Sequence, residues 1–370
     1  MAVMRVTFPA RNATAFVNEV KERVAAYFAA TGKSDKGGWR MLVKSAVLMG
    51  AFFALYFVLI LTSLPAPAVA GVALAMGILL AGVGFCISHD ALHGAYSENP
   101  TVNKIVGYSF DVVGANGYMW QITHNVIHHT YTNIEGIDED LAVSPLIRLS
   151  PSAPYAWYHR FQHLYAWVLY SFSTIFWVFA KDFKYFFARE LGPYKDRKHA
   201  RSEWVRLWVF KAIYYGWSVA IPLAMPHISL LEYLAVFFTV HLTGGLILGV
   251  VFQLAHVVEH IDYPEPEHDG AMPDDWMVHE LRTTSDFGRS SRLLRWYVGG
   301  LNFQVEHHLF PKVCSLHYPA IAPIVEETAR KHGLPYHHNA TFWGAVGSHF
   351  RMLKRFSKVP AGHASLAQAA

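Results

Sequence analysis

Ser45–Ser88, SAVLMGAFFALYFVLILTSLPAPAVAGVALAMGILLAGVGFCIS, runs for 44 residues without an Asp, Glu, Lys or Arg. A membrane-crossing helix needs about 20 apolar residues, so the stretch is long enough for two. Pro65 and Pro67 fall near its middle, where proline ends one helix and opens a turn. It predicts a helical hairpin, about Ser45–Leu64 and Ala68–Ser88. A second run, Ala212–Val258, carries Glu232 as its only charge and is interrupted at Pro222 and Pro226. It predicts another hairpin, about Trp208–Met225 and Leu230–Leu254, with Lys211 near an interface to which its ammonium can snorkel. Two such runs do not suit the core of a water-soluble protein.

Composition agrees. Of 370 residues 53% are hydrophobic, 15% aromatic and 16% charged, against about 25% charged in soluble domains. This excludes a disordered chain, and a formal charge of +4 gives no sign of nucleic-acid binding. Cys86 and Cys314 allow one disulfide at most, so no disulfide scaffold is present and a reducing cytosolic setting is expected. The N-terminal stretch has no apolar segment followed by small residues, so no cleaved signal peptide is expected.

A fifth apolar run, Tyr165–Ala180, precedes a basic segment from Lys181 through Arg189, Lys195, Arg197, Lys198, Arg201 and Arg206 to Lys211. The hairpin loops Thr62–Val69 and Pro226–Leu231 hold no Lys or Arg, whereas the N-terminal arm holds Arg23, Lys33, Lys36, Arg40 and Lys44. Because Lys and Arg stay on the cytoplasmic side, both termini and the Lys181–Lys211 segment are expected in the cytosol. Tyr165–Phe187 is then expected to lie in the interface plane, which leaves four crossings. The fold expected is an all-α integral membrane protein: four transmembrane helices in two hairpins, with a cytosolic helical cap holding a dinuclear metal site. Its parts are a cytosolic arm (1–44), hairpin one (45–88), a cytosolic or interfacial segment (89–206), hairpin two (207–255), the cap (256–360) and a disordered tail (361–370).

The 22 histidines are the other anomaly. His89-Asp-Ala-Leu-His93 follows the second crossing, and its i, i+4 spacing sets two rings on one helical face, as two ligands of one metal require. His124-Asn-Val-Ile-His128-His129 follows, then His256 at the end of the fourth crossing, then Gln304-Val-Glu-His307-His308 in the cap. The expected topology puts all four groups on one side of the membrane. A crossing by Tyr165–Ala180 would separate them.

With so many histidines an HxxxH pair arises by chance about once. His159-Arg-Phe-Gln-His163 serves as the control, expected to be an exposed or interfacial pair that binds nothing. His337-His338 lacks a partner box, His241 is expected as a buried polar group on the fourth crossing, and His227 as an extracellular loop residue. His260, four residues after His256, is a weaker ligand candidate. Eight imidazoles exceed the needs of one ion and suit two metals with about four nitrogens each; Zn, Cu, Fe and Ni all accept imidazole. The zinc-protease pattern fails at its last position, since His279-Glu280 is followed by Leu-Arg-Thr. The acidic patch Asp138, Glu139, Asp140 is expected to be a solvated loop. A membrane hydroxylase would use the same ligands, and a histidine-lined zinc or copper transporter would want them at mid-membrane instead.

HDALH, HNVIHH and QVEHH resemble the three histidine boxes of the membrane fatty acid desaturases. Gln304 in place of the usual first histidine of the third box, with His124–Asn133 (HNVIHHTYTN) and Gly299–Pro311 (GGLNFQVEHHLFP), resembles the front-end branch, which adds a double bond between the carboxyl end and an existing one. The resemblance implies two iron ions, O₂ as oxidant, and an acyl-lipid or acyl-CoA substrate. It implies His89, His93, His124, His128, His129, His256, His307 and His308 as iron ligands, with Gln304 lining the centre and Asp90 orienting a ligand ring. Trp120 and Tyr118 are candidates for the acyl slot. The heme-binding HPGG of a fused cytochrome b5 is absent, so the expected donor is a separate ferredoxin, or cytochrome b5 with its reductase, and the basic Lys181–Arg206 face is one surface on which it could dock. The membrane expected is a bacterial inner membrane or the endoplasmic reticulum.

Overall fold

A computed structural model describes residues 6–9, 14–141 and 144–359; the expected disordered tail lies outside these. Among the described residues the chain is helical apart from one two-stranded parallel sheet, Ser285–Phe287 against His337–Asn339. Four helices among the described residues are long and apolar enough to cross a membrane: Gly38–Leu61, Ala66–Leu92, Arg201–Ala224 and Leu230–His256. The first two and the last two form the two expected hairpins. The helices overrun the charge-free windows because a cation at a span end can still be accommodated: Lys44 is buried with its ammonium over the Trp296 ring at 5.3 Å. Ser229 caps the fourth span by accepting from the Glu232 amide, while Glu232 accepts from the Ser229 amide.

The spans meet through small residues. Without a hydrophobic drive between helices in lipid, close packing and weak polar contacts must hold them together. Gly77 of the second span lies so close to Val240 and Thr243 of the fourth that a Cβ there would meet the Val240 carbonyl at 2.7 Å. Gly245 and Gly249, in Gly245-Leu-Ile-Leu-Gly249, do the same for a fifth element: a Cβ on Gly245 would strike the Ser171 carbonyl.

That fifth element corrects two expectations. Trp157–Ser171 and Ser173–Phe187 are two helices bent by 56° at Phe172. Their outer ends are tied to one loop: His159 Nε2 donates to Pro145 O at 2.9 Å, and Lys181 Nζ reaches Asp140 Oδ1 at 3.3 Å. The bend instead reaches deep along the fourth span, where Thr174 Oγ1 donates to His241 O at 2.8 Å. His241 precedes His256 by fifteen residues, about 22 Å at 1.5 Å per residue. The pair is therefore a re-entrant wedge, not a helix lying flat in the interface plane. Since both ends return to the same loop, it does not separate the histidine groups. Lys211, expected to snorkel, is instead buried: Nζ donates to Gly114 O, Val178 O and Asp182 Oδ2 at 2.7–2.9 Å. The wedge carries Asp182 inward, and an ammonium beside a buried carboxylate costs less than either alone.

The cap packs over the ends of the spans. Helix Thr14–Thr31 lays Phe16 and Val20 on Val325 and Ala329 of Tyr318–Lys331, joining Met277, Leu281 and Val305 in one apolar cluster. This brings the short helices Trp276–Thr283 and Gln304–Leu309 to the ends of the second and fourth spans, where His307 meets His89 and the Thr283 carbonyl meets His256.

Candidate metal centre

The second span does not reach His89 as a regular α-helix. Gly84–Ser88 is one π-helical turn, with the His89 amide bonding back to Gly84 O. Such bulges rotate the residues that follow, and they concentrate at functional sites. The second box uses the same device at greater length. Gln121–His128 is π-helical, and the His129 amide closes on His124 O at 3.0 Å. In an α-helix His124 and His128 share a face but His129 points elsewhere. The wider turn lets all three converge, so the expected α-helical spacing holds for His89 and His93 and is replaced by a π turn in the second box. His256 is the last residue of the fourth span, and His307 and His308 sit on Gln304–Leu309.

The eight imidazoles meet in one buried cluster. His89, His93, His124 and His307 offer ligand atoms within 4.8 Å of one another, and so do His128, His256 and His308. His129 joins His307 and His308 in a third set and stacks on His308 with ring centroids 4.2 Å apart. Two adjoining subsites result, with His129 and His307 where they meet.

Each of the eight rings keeps at least one buried nitrogen with no hydrogen-bond partner: Nδ1 of His89, both nitrogens of His129, and Nε2 of the other six. Unsatisfied buried polar atoms are rare in folded proteins, and here they converge on common points. Five rings have Nδ1 occupied from behind. His124 faces Asp140 Oδ2 at 3.0 Å, His128 faces Asp138 Oδ2 at 3.0 Å, and His308 faces Glu280 Oε2 at 2.7 Å. His256 faces Thr283 O at 3.3 Å and His307 the Tyr318 hydroxyl at 3.2 Å. A partner on Nδ1 fixes the ring and frees Nε2 for a metal. Burial, reinforced by neighbouring imidazoles, holds His93, His124, His129, His307 and His308 well below the ordinary histidine pKa. They are neutral, the form that binds metal. At His128 burial is outweighed by the Asp138 carboxylate, which raises it. An all-imidazole, buried, pre-oriented donor set fits two transition-metal ions such as iron.

Three acidic residues that the sequence left out belong here. Asp138 and Asp140, expected on a solvated loop, are buried behind His128 and His124. Asp138 also accepts from the amides of Asn133 and Asp140, at 3.0 Å each. Asn133, at φ 60°, turns the chain for this and donates to His256 O at 3.0 Å. Glu280, set aside as half of a failed protease pattern, accepts from Thr132 Oγ1 at 2.9 Å while facing His308. Its one local signal is a carboxylate between the buried Met277 and Leu281 on the same short helix.

Other candidates sort by position. Asp90 accepts from the Ser315 amide and hydroxyl, at 3.2 and 2.8 Å, and holds Oδ1 3.6 Å from His89 Nδ1. It ties the first box to the cap. Gln304 is buried beside His307 and donates to Leu301 O at 2.8 Å. His260 is exposed at φ 73° and lies outside the cluster. His159, expected as exposed or interfacial, is buried outside the cluster, with Nδ1 accepting from the Ala156 amide and Nε2 bonded to Pro145; it is a loop clamp. His241 bonds Tyr214 and Thr174 within the spans, as a buried polar group.

A cavity of about 460 Å³ opens from the cluster. His89, His124 and His307 line its head, while the His128, His256 and His308 set does not. Trp120, stacked on His124 at 4.3 Å, and Phe252 form its walls, and it ends at Thr174 and His241 beside the re-entrant bend. Tyr118 is not part of this lining: its hydroxyl bonds His199 Nδ1 at 2.9 Å and its ring packs beside Phe186.

Comparison with known proteins agrees with this geometry. The family described as fatty acid desaturase matches residues 62–340. An sn-1 linoleoyl-lipid 6-desaturase of Arthrospira platensis is 37% identical over 349 residues, covering 93% of each chain. An acyl-lipid (8-3)-desaturase of Physcomitrium patens is 36% identical, covering 91% of this chain and 70% of its own. A second sn-1 linoleoyl-lipid 6-desaturase, from Synechocystis, is 32% identical and covers 93% of this chain and 96% of its own.

Proposed function

The chain belongs to the fatty acid desaturase family, and from that premise we propose that it inserts a cis double bond into a membrane-lipid acyl chain, on the carboxyl side of one already present. The reaction R–CH₂–CH₂–R′ + O₂ + 2 e⁻ + 2 H⁺ → R–CH=CH–R′ + 2 H₂O requires O₂ and an external two-electron donor. A ferredoxin, or a separate cytochrome b5 with its reductase, is the proposed donor. The observation that carries the proposal is the convergence of eight buried imidazoles, each with a free nitrogen, at the head of an apolar cavity.

His89, His93, His124 and His307 would hold one iron, and His128, His256 and His308 the other, with His129 completing the pair. When bound, the two irons would supply O₂ activation and oxidation of an unactivated C–H bond. The protein's own part is geometry. Asp138 and Asp140 keep two ligand rings in the tautomer that frees Nε2, and Glu280 holds a third ring in place from behind its Nδ1. Trp120 and Phe252 wall the cavity against water and hold an acyl chain against the His89, His124 and His307 side. The head of the cavity lies beside Gln304, the residue that departs from an all-histidine third box. The names of the relatives, a 6-desaturase and an (8-3)-desaturase, support an acyl-lipid substrate and a double bond near the carboxyl end. We place both termini and the centre on the cytosolic side of a bacterial inner membrane or endoplasmic reticulum, because the hairpin loops carry no Lys or Arg.

The test is a fatty-acid profile by gas chromatography–mass spectrometry. A host expressing this chain with a ferredoxin or cytochrome b5 would be fed oleic, linoleic and linolenic acids. A new double bond on the carboxyl side of an existing one is the expected product. A hydroxylated product would move the protein to hydroxylase chemistry, and a bond on the methyl side would overturn the front-end assignment.

A further inference from the structure

Where the first span meets the cap, a cavity of about 740 Å³ is lined, among the described residues, by six cations and no carboxylate: Lys33, Lys36, Arg40, Lys44, Arg292 and Arg295. Among the described residues only Lys36 of the six pairs with an acid, Asp35 at 3.2 Å. Lys44 is the telling one. It is 8% exposed, yet its ammonium has only the Trp296 ring at 5.3 Å and the Cys86 thiol beside it, and among the described residues no carboxylate. A buried cation is costly unless something anionic completes it. The N-terminus of the 24-residue first span also opens here, with Gly37 and Gly38 in the lining and no side chain capping it, so its free amides add positive potential.

The surroundings say what kind of anion fits. Trp39 and Trp296 line the cavity and are 69% and 49% exposed. Leu42, Val43 and Val47, on the next turns of the same helix, are also exposed, on the side that a bilayer would cover. Aromatic rings and basic side chains at the end of a span mark the headgroup layer, and a soluble acidic protein would meet a polar rim instead. We propose that this cavity binds the phosphate headgroup of an anionic membrane lipid, one per chain, with the lipid's tails against the outer face of the first span. The site is separate from the metal centre but adjoins its scaffold. Ser315, which lines the cavity, donates to Asp90 Oδ2 at 2.8 Å, next in sequence to His89. A bound headgroup would clamp the first span to the cap behind the first histidine box.

The test is native mass spectrometry on the full chain, delipidated in detergent and mixed with equal phosphatidylglycerol and phosphatidylcholine. The expected result is one retained phosphatidylglycerol in preference to phosphatidylcholine. Arg40→Glu/Arg295→Glu should cut that retention by about tenfold or more, and Lys44→Met should weaken it with no new negative charge. Unchanged metal content and helicity in the variants would exclude misfolding as the cause. Equal retention of both lipids, or variants that bind as the parent does, would overturn the proposal. So would displacement of the lipid by millimolar inorganic phosphate, which would make this a site for soluble anions. Variants that keep phosphatidylglycerol but no longer bind an acidic ferredoxin would make the face a protein dock and equally overturn it.

Discussion

Asp138 and His128 illustrate how the ligand set is tuned one residue at a time. Three donors converge on the Asp138 carboxylate, the amides of Asn133 and Asp140 and the His128 ring, so it points one way. Asp138→Asn removes the charge and half of the acceptor capacity. Loss of a group that orients a ligand typically costs about 10–100-fold in metal affinity, and that loss is expected here in a chelator-competition assay of iron retention. Unchanged affinity would mean that packing alone sets the ring. His307→Ala, which removes a nitrogen shared by two ligand sets, should lower bound iron itself; full iron content would remove His307 from the centre. His159→Ala tests the opposite case. It should leave iron content intact while lowering stability by about 1–3 kcal/mol, because the Ala156 amide and Pro145 carbonyl lose their partners. Lys211→Met should cost more, about 3–5 kcal/mol, since Asp182 would remain buried without its cation.

At the scale of elements, two features position the site: the π turns and the re-entrant wedge. The π turn at Gly84–Ser88 requires the span to pass very close to Gly299, where φ is +62° and a Cβ would strike the Phe85 carbonyl. The wedge depends on Gly245 in the same way, pressed against the Ser171 carbonyl. Overpacking of this kind typically costs about 1–3 kcal/mol. Gly245→Ala should therefore lower the unfolding temperature and also push the wedge off the cavity it walls. The readout is the unfolding temperature together with binding of a fluorescent fatty-acyl probe. Normal probe binding in a destabilised variant would show that the wedge does not shape the slot. These elements explain why the HxxxHH spacing was only partly legible. Spacing reports which residues share a face of an assumed helix, and here the helix itself changes type between the two boxes.

At the scale of the whole molecule, the buried imidazole cluster makes stability depend on pH. Five of the eight rings have pKa values well below that of a free histidine, chiefly from burial. At these five rings the unfolded chain binds more protons than the folded one below about pH 6.5. Their contribution to stability is fully present above that pH and falls as acid approaches the folded values, while Glu280 and Glu306, pushed well above the usual carboxylate range by burial, act in the opposite sense. Bound metal adds to the same trend, because protons compete for the same nitrogens. Thermal unfolding of the metal-depleted protein should shift downward between about pH 7 and pH 5, and added Fe²⁺ should raise the midpoint at pH 7. A midpoint that is flat with pH would mean that the rings are protonated or solvated in the fold.

Much of this was legible in the chain. A 44-residue run without charge has few ways to fold other than as membrane hairpins, and hydrophobic length is a local property that sequence states directly. The histidine boxes were legible for a related reason: several imidazoles near span ends are rare by chance, and the fold brings them together. The carboxylates behind the rings were not. Asp138, Asp140 and Glu280 look like solvated charges because their burial depends on what packs over them, and the apolar Met277 and Leu281 beside Glu280 are a weak signal of it. What buries them comes from elsewhere in the chain, His308 lying 28 residues after Glu280 and the loop of Asp138 and Asp140 being closed by the wedge and the fourth span. The same holds for the pairing of Lys211 with Asp182 and for the depth of the wedge. Sequence by itself determined the membrane-length hairpins and the histidine boxes, since both depend on local chemistry. Only the tertiary structure decided which charges were buried and what held each ring, because burial is a property of the neighbours that folding brings together.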